Sequence, residues 1–198
     1  MSSTYGGGGS DILVGQLAGQ QLGDGLLVLP GQGNSLAIET DAGVVVIDAS
    51  GPRHADNMVT TLREHTDLAV HAIVYSHGHH GYNAAVDVWQ RHNAERGDPP
   101  IRLVAHENVV RRYARYRETE RLQLRMAAMQ FPGRRPLPLD VLAMGMQLHE
   151  PTETFADKMT LVTGSRRVEL LWAPSEVDDA LAVWLPDDDL VCGCLLYT

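Results

Sequence analysis

Apolar residues along the chain are grouped into short runs separated by glycine- and proline-containing breaks, which is typical of buried strands. Such runs occupy residues 26–30, 35–39, 44–48, 69–75, 101–105, 159–163, 168–172, 180–186 and 190–195. The breaks at residues 31–34 and 41–43 combine glycine with asparagine or aspartate, and this composition favours hairpin turns. The first three runs are therefore predicted to be strands joined by hairpins.

Three intervening segments are predicted to be helices. Residues 54–65 carry apolar positions at Met58, Val59 and Leu62, residues 84–91 form a shorter segment, and residues 107–129 are rich in Arg, Glu, Leu and Met. The last helix is predicted to end before Phe131, and a proline-containing loop is expected to follow to about residue 141. Strands and helices alternate in an order that predicts a layered α/β sandwich.

Composition indicates one globular domain. The chain has 198 residues, of which 44% are hydrophobic and 21% charged, as in ordinary globular domains. Residues 1–10, which contain four consecutive glycines, are predicted to form a flexible tail, and the domain is assigned to residues 11–198. The chain begins with neither a basic segment nor an apolar one and contains no apolar run of about 18 residues, so neither a signal peptide nor a membrane partner is expected.

Charge and cysteine content narrow the partners and the location. The net charge is −9, and the largest basic cluster has acidic neighbours, so a nucleic-acid partner is disfavoured. That cluster consists of Arg111, Arg112, Arg115, Arg117 and Arg121, offset by Glu107, Glu118 and Glu120. Cys192 and Cys194 lie two residues apart on one predicted strand, where they are poorly oriented for a disulfide. A reducing cytoplasm is the predicted location.

The segment after the predicted strand 69–75 carries the densest candidate chemistry. Of nine histidines, His77, His79 and His80 fall within four positions. Imidazoles at positions i and i+2 after a strand can point at one ion, and neutral imidazole suits zinc. The alternative is a pair of loop histidines hydrogen-bonded to the backbone. The spacing alone leaves both interpretations open.

Several separated segments, in the same order along the chain, resemble the metallo-β-lactamase fold and, within it, the alkylsulfatase-like branch of metallo-hydrolases. They are residues 33–35, 45–48, 74–79, 105–109, 151–157 and 173–179. The resemblance runs from about Gly25 to the C-terminus and implies an α/β fold, an αββα sandwich. The later family histidine and the final helices would fall beyond Thr198, so the sandwich is expected to be incomplete at its C-terminal end.

The resemblance also shows where the metal site departs from the family pattern His-x-His-x-Asp-His. His77 and His79 match the pair that binds one metal, whereas Gly81 and Tyr82 stand where the Asp and the His of the second pair are expected. Glycine has no ligand atom, and a phenol with a pKa near 10 is a poor zinc ligand at neutral pH. The resemblance therefore implies a degenerate site with at most one Zn²⁺, and the complete absence of metal is left open.

Two further ligands are implied by the resemblance. Glu176 stands where this branch has a third ligand, and Cys194 follows Gly193 where a bridging carboxylate is usual. With His77 and His79 they would make an acceptable tetrahedral zinc set, and without Cys194 a water could take the fourth place. The alternatives are a Glu176 bonded to backbone amides of its turn and a Cys194 that is a small buried apolar residue.

The remaining candidates surround these ligands. Tyr82 is a candidate catalytic residue, as a general acid or as a donor to an oxyanion, although packing in place of an imidazole is the simpler explanation. Asp48, at the end of a predicted strand, is expected to orient a catalytic group. His80 and Asp179 are expected to lie around the ligands and to orient side chains or loops, not to bind the metal.

Two functions are carried forward. The first is a metal-dependent hydrolase in which water or hydroxide attacks an ester, sulfate or amide of a small-molecule substrate. The alternative is a catalytically inactive relative that acts as a binding protein or subunit. A third, less favoured, interpretation is metal-free chemistry with Cys194 as nucleophile. Because an apolar edge strand is predicted at the C-terminus, a homo-oligomer or a partner subunit that covers this edge is also expected.

Overall fold

The computed structural model describes residues 19–130 and 143–193, and its larger sheet has seven strands. In spatial as well as chain order these are β1 (Gln20–Gly23), β2 (Leu26–Leu29), β3 (Ser35–Thr40), β4 (Gly43–Ile47), β5 (Val70–Val74), β6 (Arg102–His106) and β7 (Glu153–Phe155). Strands β1 to β4 are antiparallel, and the hairpins that join β2 to β3 and β3 to β4 are those predicted, whereas β1 was not predicted. Strands β4 to β7 are parallel.

Helices provide the crossovers that parallel strands require. Helix α1 (Pro52–Arg63) joins β4 to β5, and α2 (Val86–Arg96) joins β5 to β6. A proline at the first position of α1 supplies a preset φ angle, and Gly97 ends α2 in the left-handed conformation.

The single helix predicted for residues 107–129 is wrong, because the structure forms α3 (Asn108–Glu118) and α4 (Glu120–Gln130). Thr119 leaves the helical conformation, with φ of −114° and ψ of 21°, and its carbonyl accepts a hydrogen bond from the backbone N–H of Gln123. The predicted loop that follows, to about residue 141, lies outside the described residues.

A second sheet of four antiparallel strands packs on the first. It consists of β8 (Lys158–Val162), β9 (Val168–Trp172), β10 (Leu181–Leu185) and β11 (Leu190–Gly193), in the spatial order β11-β10-β9-β8. All four were predicted. Because β11 is an edge strand and the residues after Gly193 lie outside the described part, the oligomer or partner expected at this edge stays a prediction.

Two apolar clusters separate the layers. On one face of the larger sheet, Met58, Trp89 and Tyr113 of the three helices α1, α2 and α3 pack in the first cluster. On the other face, strands of the two sheets pack together, with Val74 and Leu170 in the second cluster, both fully buried. The described residues thus form three layers, helices on sheet on sheet, which is the predicted α/β sandwich.

The two ends of the sandwich differ. At one end, Arg166 after β8 donates to the carboxylate of Asp188 and to the carbonyl oxygens of Asp24 and Glu39, which ties turns of both sheets together. At the other end lie the carboxyl ends of β4, β5 and β6. There the backbone N–H of Leu181 donates to the carbonyl of Ser76 at 3.0 Å. In the described part of the chain no helix has the length and apolarity to cross a membrane.

Candidate active site

The predicted histidine cluster lies at the carboxyl end of the parallel strands, where ligands commonly bind in α/β sheets. Strand β5 ends at Val74 and leads into His77, and the adjacent parallel strand β4 ends one residue before Asp48. The backbone N–H of Asp48 donates to the carbonyl of Val74 at 2.9 Å. Parallel pairing therefore brings Asp48 and the histidine loop to the same edge of the sheet.

A chain of hydrogen bonds links Asp48 to His77 through Ser76. The Oγ of Ser76 donates to Oδ2 of Asp48 at 2.5 Å and lies 2.9 Å from Nδ1 of His77. Since the serine proton is given to the carboxylate, Nδ1 of His77 is the donor to Oγ. Nε2 of a neutral His77 then carries the lone pair, as a metal ligand or a base needs. This arrangement agrees with the orienting role expected for Asp48.

Asp48 itself is held in an unusual environment. Its Oδ1 accepts hydrogen bonds from the backbone N–H of Ser76 and from Nδ2 of Asn83, both at 2.9 Å. Burial raises the pKa of Asp48 to about 6, while the bonds from Ser76 and Asn83 act in the opposite direction. The carboxyl group of Asp48 therefore binds its proton up to a higher pH than an ordinary aspartate does, although it accepts three hydrogen bonds.

The backbone around Asp48 is strained. Asp48 and Ser50 have φ of 62° and 63°, a region that non-glycine residues rarely enter. The intervening Ala49 is fixed on both sides, since its N–H donates to Oδ1 of Asn83 at 2.9 Å and its carbonyl accepts from Nε1 of Trp89 at 3.1 Å. Hydrogen bonds from the surrounding structure therefore hold this turn in its strained conformation, and strained residues of this kind cluster at functional sites.

His77 and His79 form the nitrogen pair of the site. Their ring centroids lie 4.7 Å apart, with an angle of 81° between the planes, and His77 is fully buried. Burial lowers the pKa of His77 to about 3, and the charges of His79 and Arg112 add to this. Burial and Arg112 also lower the pKa of His79, against the opposite effect of Glu176 and Asp179. Both imidazoles are therefore neutral at pH 7, the form that binds metals.

Packed side chains fill the space beside His77 at Gly81 and Tyr82, the two positions where the resemblance would place a second pair of metal ligands. The ring of Tyr82 lies edge-on to His77, with centroids 4.5 Å apart, and also covers Gly33, where an added Cβ would stand 2.6 Å from a ring carbon. Gly81 has φ of +91°, and a Cβ there would collide with Nε2 of Gln32. Tyr82 thus packs where an imidazole was expected, and its catalytic role stays a prediction.

The loop between β9 and β10 carries the acidic residues of the site. Glu176 is exposed, whereas Asp179 is fully buried. Arg112 of α3 bridges two carboxylates, with Nε 2.5 Å from Oδ2 of Asp179 and Nη2 3.1 Å from Oδ1 of Asp178. Nε1 of Trp172 also donates to the carbonyl of Asp178, at 2.9 Å. The loop is therefore firmly held beside the histidines.

The donor set around the histidines suits zinc, but it is not gathered into a finished site. Two neutral imidazoles are adjacent, and Oδ1 of Asp179 is a buried oxygen with no hydrogen-bond partner in the described part of the chain. Within residues 19–130 and 143–193, no three His, Cys, Asp or Glu side chains are grouped closely enough to hold a metal ion. The two imidazoles are donors of the kind that zinc binds, and the described residues do not place a third ligand beside them.

Two predicted site residues remain, His80 and Cys194. His80 stacks on Tyr116, with centroids 3.9 Å apart, and lines a cavity with Glu120, Leu124 and Met146. Burial lowers the pKa of His80 to about 4, with a further contribution from His79. Cys194 lies outside the described residues.

Sequence reasoning did not single out Ser76, Gln32 or Arg112. Ser76 could have been found, because it directly precedes His77. It also follows β5, which pairs in parallel with β4, the strand that leads to Asp48. Arg112 is 67 residues from Asp179, so no local pattern links them. Gln32 in the β2–β3 loop contacts Gly81 only through tertiary structure.

Comparisons with known proteins place this geometry in context. Residues 28–198 match the sequence profile described as the metallo-beta-lactamase superfamily. A metallo-beta-lactamase with a HARLDQ motif from Cronobacter sakazakii is 15% identical, with a TM-score of 0.55 over 88% of this chain and 62% of that chain. The stereoselective inverting sec-alkylsulfatase of Pseudomonas sp. is 16% identical, with a TM-score of 0.61 over 85% of this chain and 29% of that chain.

A third solved structure, a metallo-beta-lactamase family protein from Thermus thermophilus, is 18% identical, with a TM-score of 0.63 over 87% of this chain and 60% of that chain. No curated protein is significantly similar to the chain. At such identities the similarity concerns the fold. The chain spans 62% or less of the length of these three proteins.

Proposed function

The chain belongs to the metallo-beta-lactamase superfamily, and from this membership we propose that it is a metal-dependent hydrolase with at most one zinc ion, bound through His77 and His79. In this proposal Glu176 of the β9–β10 loop is the third ligand, as the family resemblance implies, and Cys194 or a water takes the fourth place. The substrate is a small molecule with an ester, sulfate or amide bond, and the fold shared with an alkylsulfatase supports the inclusion of sulfate esters.

The hydrogen-bond chain from Asp48 through Ser76 to His77 is the observation that carries the proposal. It fixes the tautomer of His77 so that Nε2 presents a lone pair, and partners of this kind orient metal-binding histidines. A zinc ion at these nitrogens would supply Lewis acidity and a water of pKa about 7, which is the chemistry that hydrolysis requires. In this proposal the phenol of Tyr82, whose ring lies beside His77, is the donor to a substrate oxygen.

The restriction to a single metal follows from the packing around Gly81. Gly81 offers no ligand atom, Gln32 fills the space next to it, and the ring of Tyr82 stands against His77. A second ion would have to displace two packed side chains and would still lack a carboxylate from position 81. A two-metal mechanism is therefore not part of this proposal.

A specific observation favours the alternative, a non-catalytic relative that serves as a binding protein or subunit. The guanidinium of Arg112 lies close enough to lower the pKa of both His77 and His79, and a positive charge at this distance also opposes a bound cation. Because the described side chains do not form a group of three ligands, a site that has lost its metal would be expected to have this appearance.

Metal analysis separates the two functions. The protein is purified without added metal and its zinc content is measured beside that of His77→Ala and of His65→Ala, an exposed histidine on a different loop. About one zinc per chain, lost in His77→Ala and kept in His65→Ala, supports the hydrolase and justifies a screen of ester, sulfate and amide substrates. A folded protein that binds no zinc even when zinc is supplied contradicts the proposal and favours the binding role.

A further inference from the structure

The side-chain amide of Asn83 has an orientation that its own contacts determine. Its Oδ1 accepts a hydrogen bond from the backbone N–H of Ala49 at 2.9 Å, and a backbone N–H can only donate. The amide nitrogen Nδ2 therefore faces Asp48 and donates to Oδ1 of its carboxyl group, also at 2.9 Å. An exchange of the amide oxygen and nitrogen would break both bonds. Asn83, which is buried, is thus a fixed donor to Asp48.

The two carboxyl oxygens of Asp48 have different partners. Oδ1 accepts from Nδ2 of Asn83 and from the backbone N–H of Ser76, whereas Oδ2 lies 2.5 Å from the Oγ of Ser76. A proton bound at Oδ1 would face two groups that can only donate. A proton bound at Oδ2 meets a hydroxyl group, which can accept as well as donate. The first proton that Asp48 takes up is therefore expected at Oδ2.

A proton at Oδ2 reverses the hydrogen bonds that lead to His77. In the ionised form, Ser76 donates to Oδ2 and the Nδ1–H of His77 donates to Oγ. When Asp48 is protonated, Oδ2–H donates to Oγ and the hydroxyl of Ser76 donates to Nδ1. In balance, one proton enters from solvent at Nε2, the proton of Nδ1 passes to Oγ, and the proton of Oγ passes to Oδ2. His77 is neutral in both forms, but its proton changes from Nδ1 to Nε2.

The titratable groups around Asp48 do not compete for this proton. In the described part of the chain, the charge of Asp48 acts on Tyr75 after β5, Tyr113 of α3 and Cys192 of β11. Burial raises the pKa of all three, that of Cys192 to about 11, so they stay neutral when Asp48 titrates. Burial lowers the pKa of His77 to about 3 and raises that of Asp48 to about 6. Asp48 therefore takes up the proton before His77 does.

From this geometry we infer that Asn83 is a positioning residue, which confines proton uptake by Asp48 to Oδ2 and so makes the tautomer of His77 depend on pH. The inference names a regulation of the proposed site and rests on the proposed function for its consequence. With the proton on Nδ1, Nε2 presents the lone pair that zinc binding or general-base chemistry needs. With the proton on Nε2, His77 presents a donor, and the site is unable to use this nitrogen as a ligand.

The tautomer of His77 can be measured without any metal. Long-range proton–nitrogen correlation spectra of histidine-labelled protein, kept metal-free with a chelator, distinguish the two forms. In the parent, His77 is expected to carry its proton on Nδ1 at about pH 8 and on Nε2 at about pH 5. Asp48→Asn imitates the protonated form, because its amide oxygen accepts from the same donors and its nitrogen donates to Ser76. The proton of His77 is expected on Nε2 at both pH values in this variant.

Asn83→Asp tests the positioning role itself. A carboxyl group at this position keeps an acceptor for the N–H of Ala49 but shares a proton with Oδ1 of Asp48, as neighbouring carboxyl groups do. Oδ2 then remains an acceptor, so His77 is expected to keep its proton on Nδ1 even at about pH 5. Asn93→Ala is the matched control, because Asn93 is also a buried amide but donates to backbone carbonyls of residues 70 and 99. Its tautomers should be those of the parent.

The outcomes separate this inference from the proposed function. A proton that stays on Nδ1 in Asp48→Asn overturns the inference, and so does an Asn83→Asp variant that changes tautomer as the parent does. If Asn83→Asp does not fold, Asn83→Ala replaces it. Loss of a donor to the carboxylate should then move the tautomer change to a proton concentration about 10- to 100-fold lower, and an unchanged midpoint overturns the role of Asn83.

A zinc titration at about pH 8 completes the experiment, because His77 is then expected to present its Nε2 lone pair. A tautomer change in a protein that binds no zinc under these conditions contradicts the proposed function and leaves the positioning role of Asn83 supported. Zinc binding in a protein whose His77 has the same tautomer at both pH values supports the proposed function and overturns the inference.

Discussion

Tyr82 lies edge-on against His77, with their ring centroids 4.5 Å apart and their planes at 61°. The contact is typical of paired aromatic rings, in which the edge of one ring meets the face of the other. It fixes one side of the imidazole, while Ser76 fixes Nδ1 by a hydrogen bond. The orientation of His77 is therefore determined by protein contacts before any ligand binds.

Replacement of Gly81 tests the packing that fills the space beside His77. Gly81→Ala places a Cβ against Nε2 of Gln32 at a residue with φ of +91°, so the free energy of unfolding is expected to fall by about 3 kcal/mol. Gly97→Ala is the control, because Gly97 also has positive φ, +75°, but an added Cβ meets nothing within 4 Å. A loss of about 1 kcal/mol is expected there, and urea unfolding measures both.

A second variant separates strain from collision. Gln32→Ala combined with Gly81→Ala is expected to recover the part of the loss that exceeds the loss in Gly97→Ala, because the atoms met by the new Cβ are gone. Equal losses in Gly81→Ala and Gly97→Ala would show that Gln32 does not occupy this space in solution.

Removal of the Ser76 hydroxyl tests the link between Asp48 and His77. Ser76→Ala is expected to weaken zinc binding about 10- to 100-fold, because Nδ1 of His77 loses the partner that fixes its tautomer. Ser35→Ala is the control, since Ser35 is also buried and its Oγ donates to the backbone carbonyl of Asp48 at 2.7 Å, without contact to His77. A zinc titration with a competing chelator gives both affinities, and equal losses would contradict the link.

Burial of Asp48 predicts a dependence of stability on pH. Its pKa is about 6 in the folded protein and 3.8 as the reference value, so below about pH 4 the proton is bound in both states. As pH rises from about 4 to about 6, the unfolded chain releases this proton first, and folding loses about 3 kcal/mol at roughly 1.4 kcal/mol per pKa unit. The stability from this group is therefore full below about pH 4 and lost above about pH 6.

Asp48→Asn removes the titrating group while it keeps a residue type that tolerates positive φ. Urea unfolding in the presence of chelator, from about pH 4 to about pH 7, should show a smaller decline in the variant than in the parent. Parallel curves would mean that the carboxylate is adequately solvated or hydrogen-bonded in the folded state.

Arg166 and Arg167 provide a matched pair for the far end of the sandwich. Arg166 is largely buried and joins Asp188 to backbone carbonyls of the larger sheet, so Arg166→Ala is expected to cost about 3 kcal/mol. Arg167 pairs with Asp187 on the surface, and Arg167→Ala is expected to leave stability nearly unchanged. Thermal unfolding of the two variants measures the difference, and similar melting temperatures would contradict the role of Arg166.

Strands with a clear apolar pattern could be predicted, and weakly patterned elements could not. Strand β1 (Gln20–Gly23) is mostly exposed, and β7 (Glu153–Phe155) has three residues, so both depend on pairing with β2 and β6 and carry little pattern of their own. The break at Thr119 was missed because the sequence on either side favours helix. The apolar runs therefore encoded their own strands, whereas the existence of β1 and β7 depended on pairing with β2 and β6.

The site was predictable only in part for a similar reason. His77 and His79 stand two residues apart after a strand, so their proximity follows from local geometry. Asp179 had been expected among the orienting residues, but its complete burial depends on Arg112, a residue of a distant helix. No pattern in one sequence reports such a contact, because an arginine on a helix is usually exposed.

The hydrogen bond from Leu181 to Ser76 has a practical consequence. The donor belongs to the smaller sheet and the acceptor to the loop of the histidines, so this amide proton can exchange with solvent only when the two separate. Deuterium uptake at Leu181 therefore measures the opening of the loop from outside it, at an amide that takes no part in binding or chemistry. The smaller sheet thus contains a natural reporter of movements of the site.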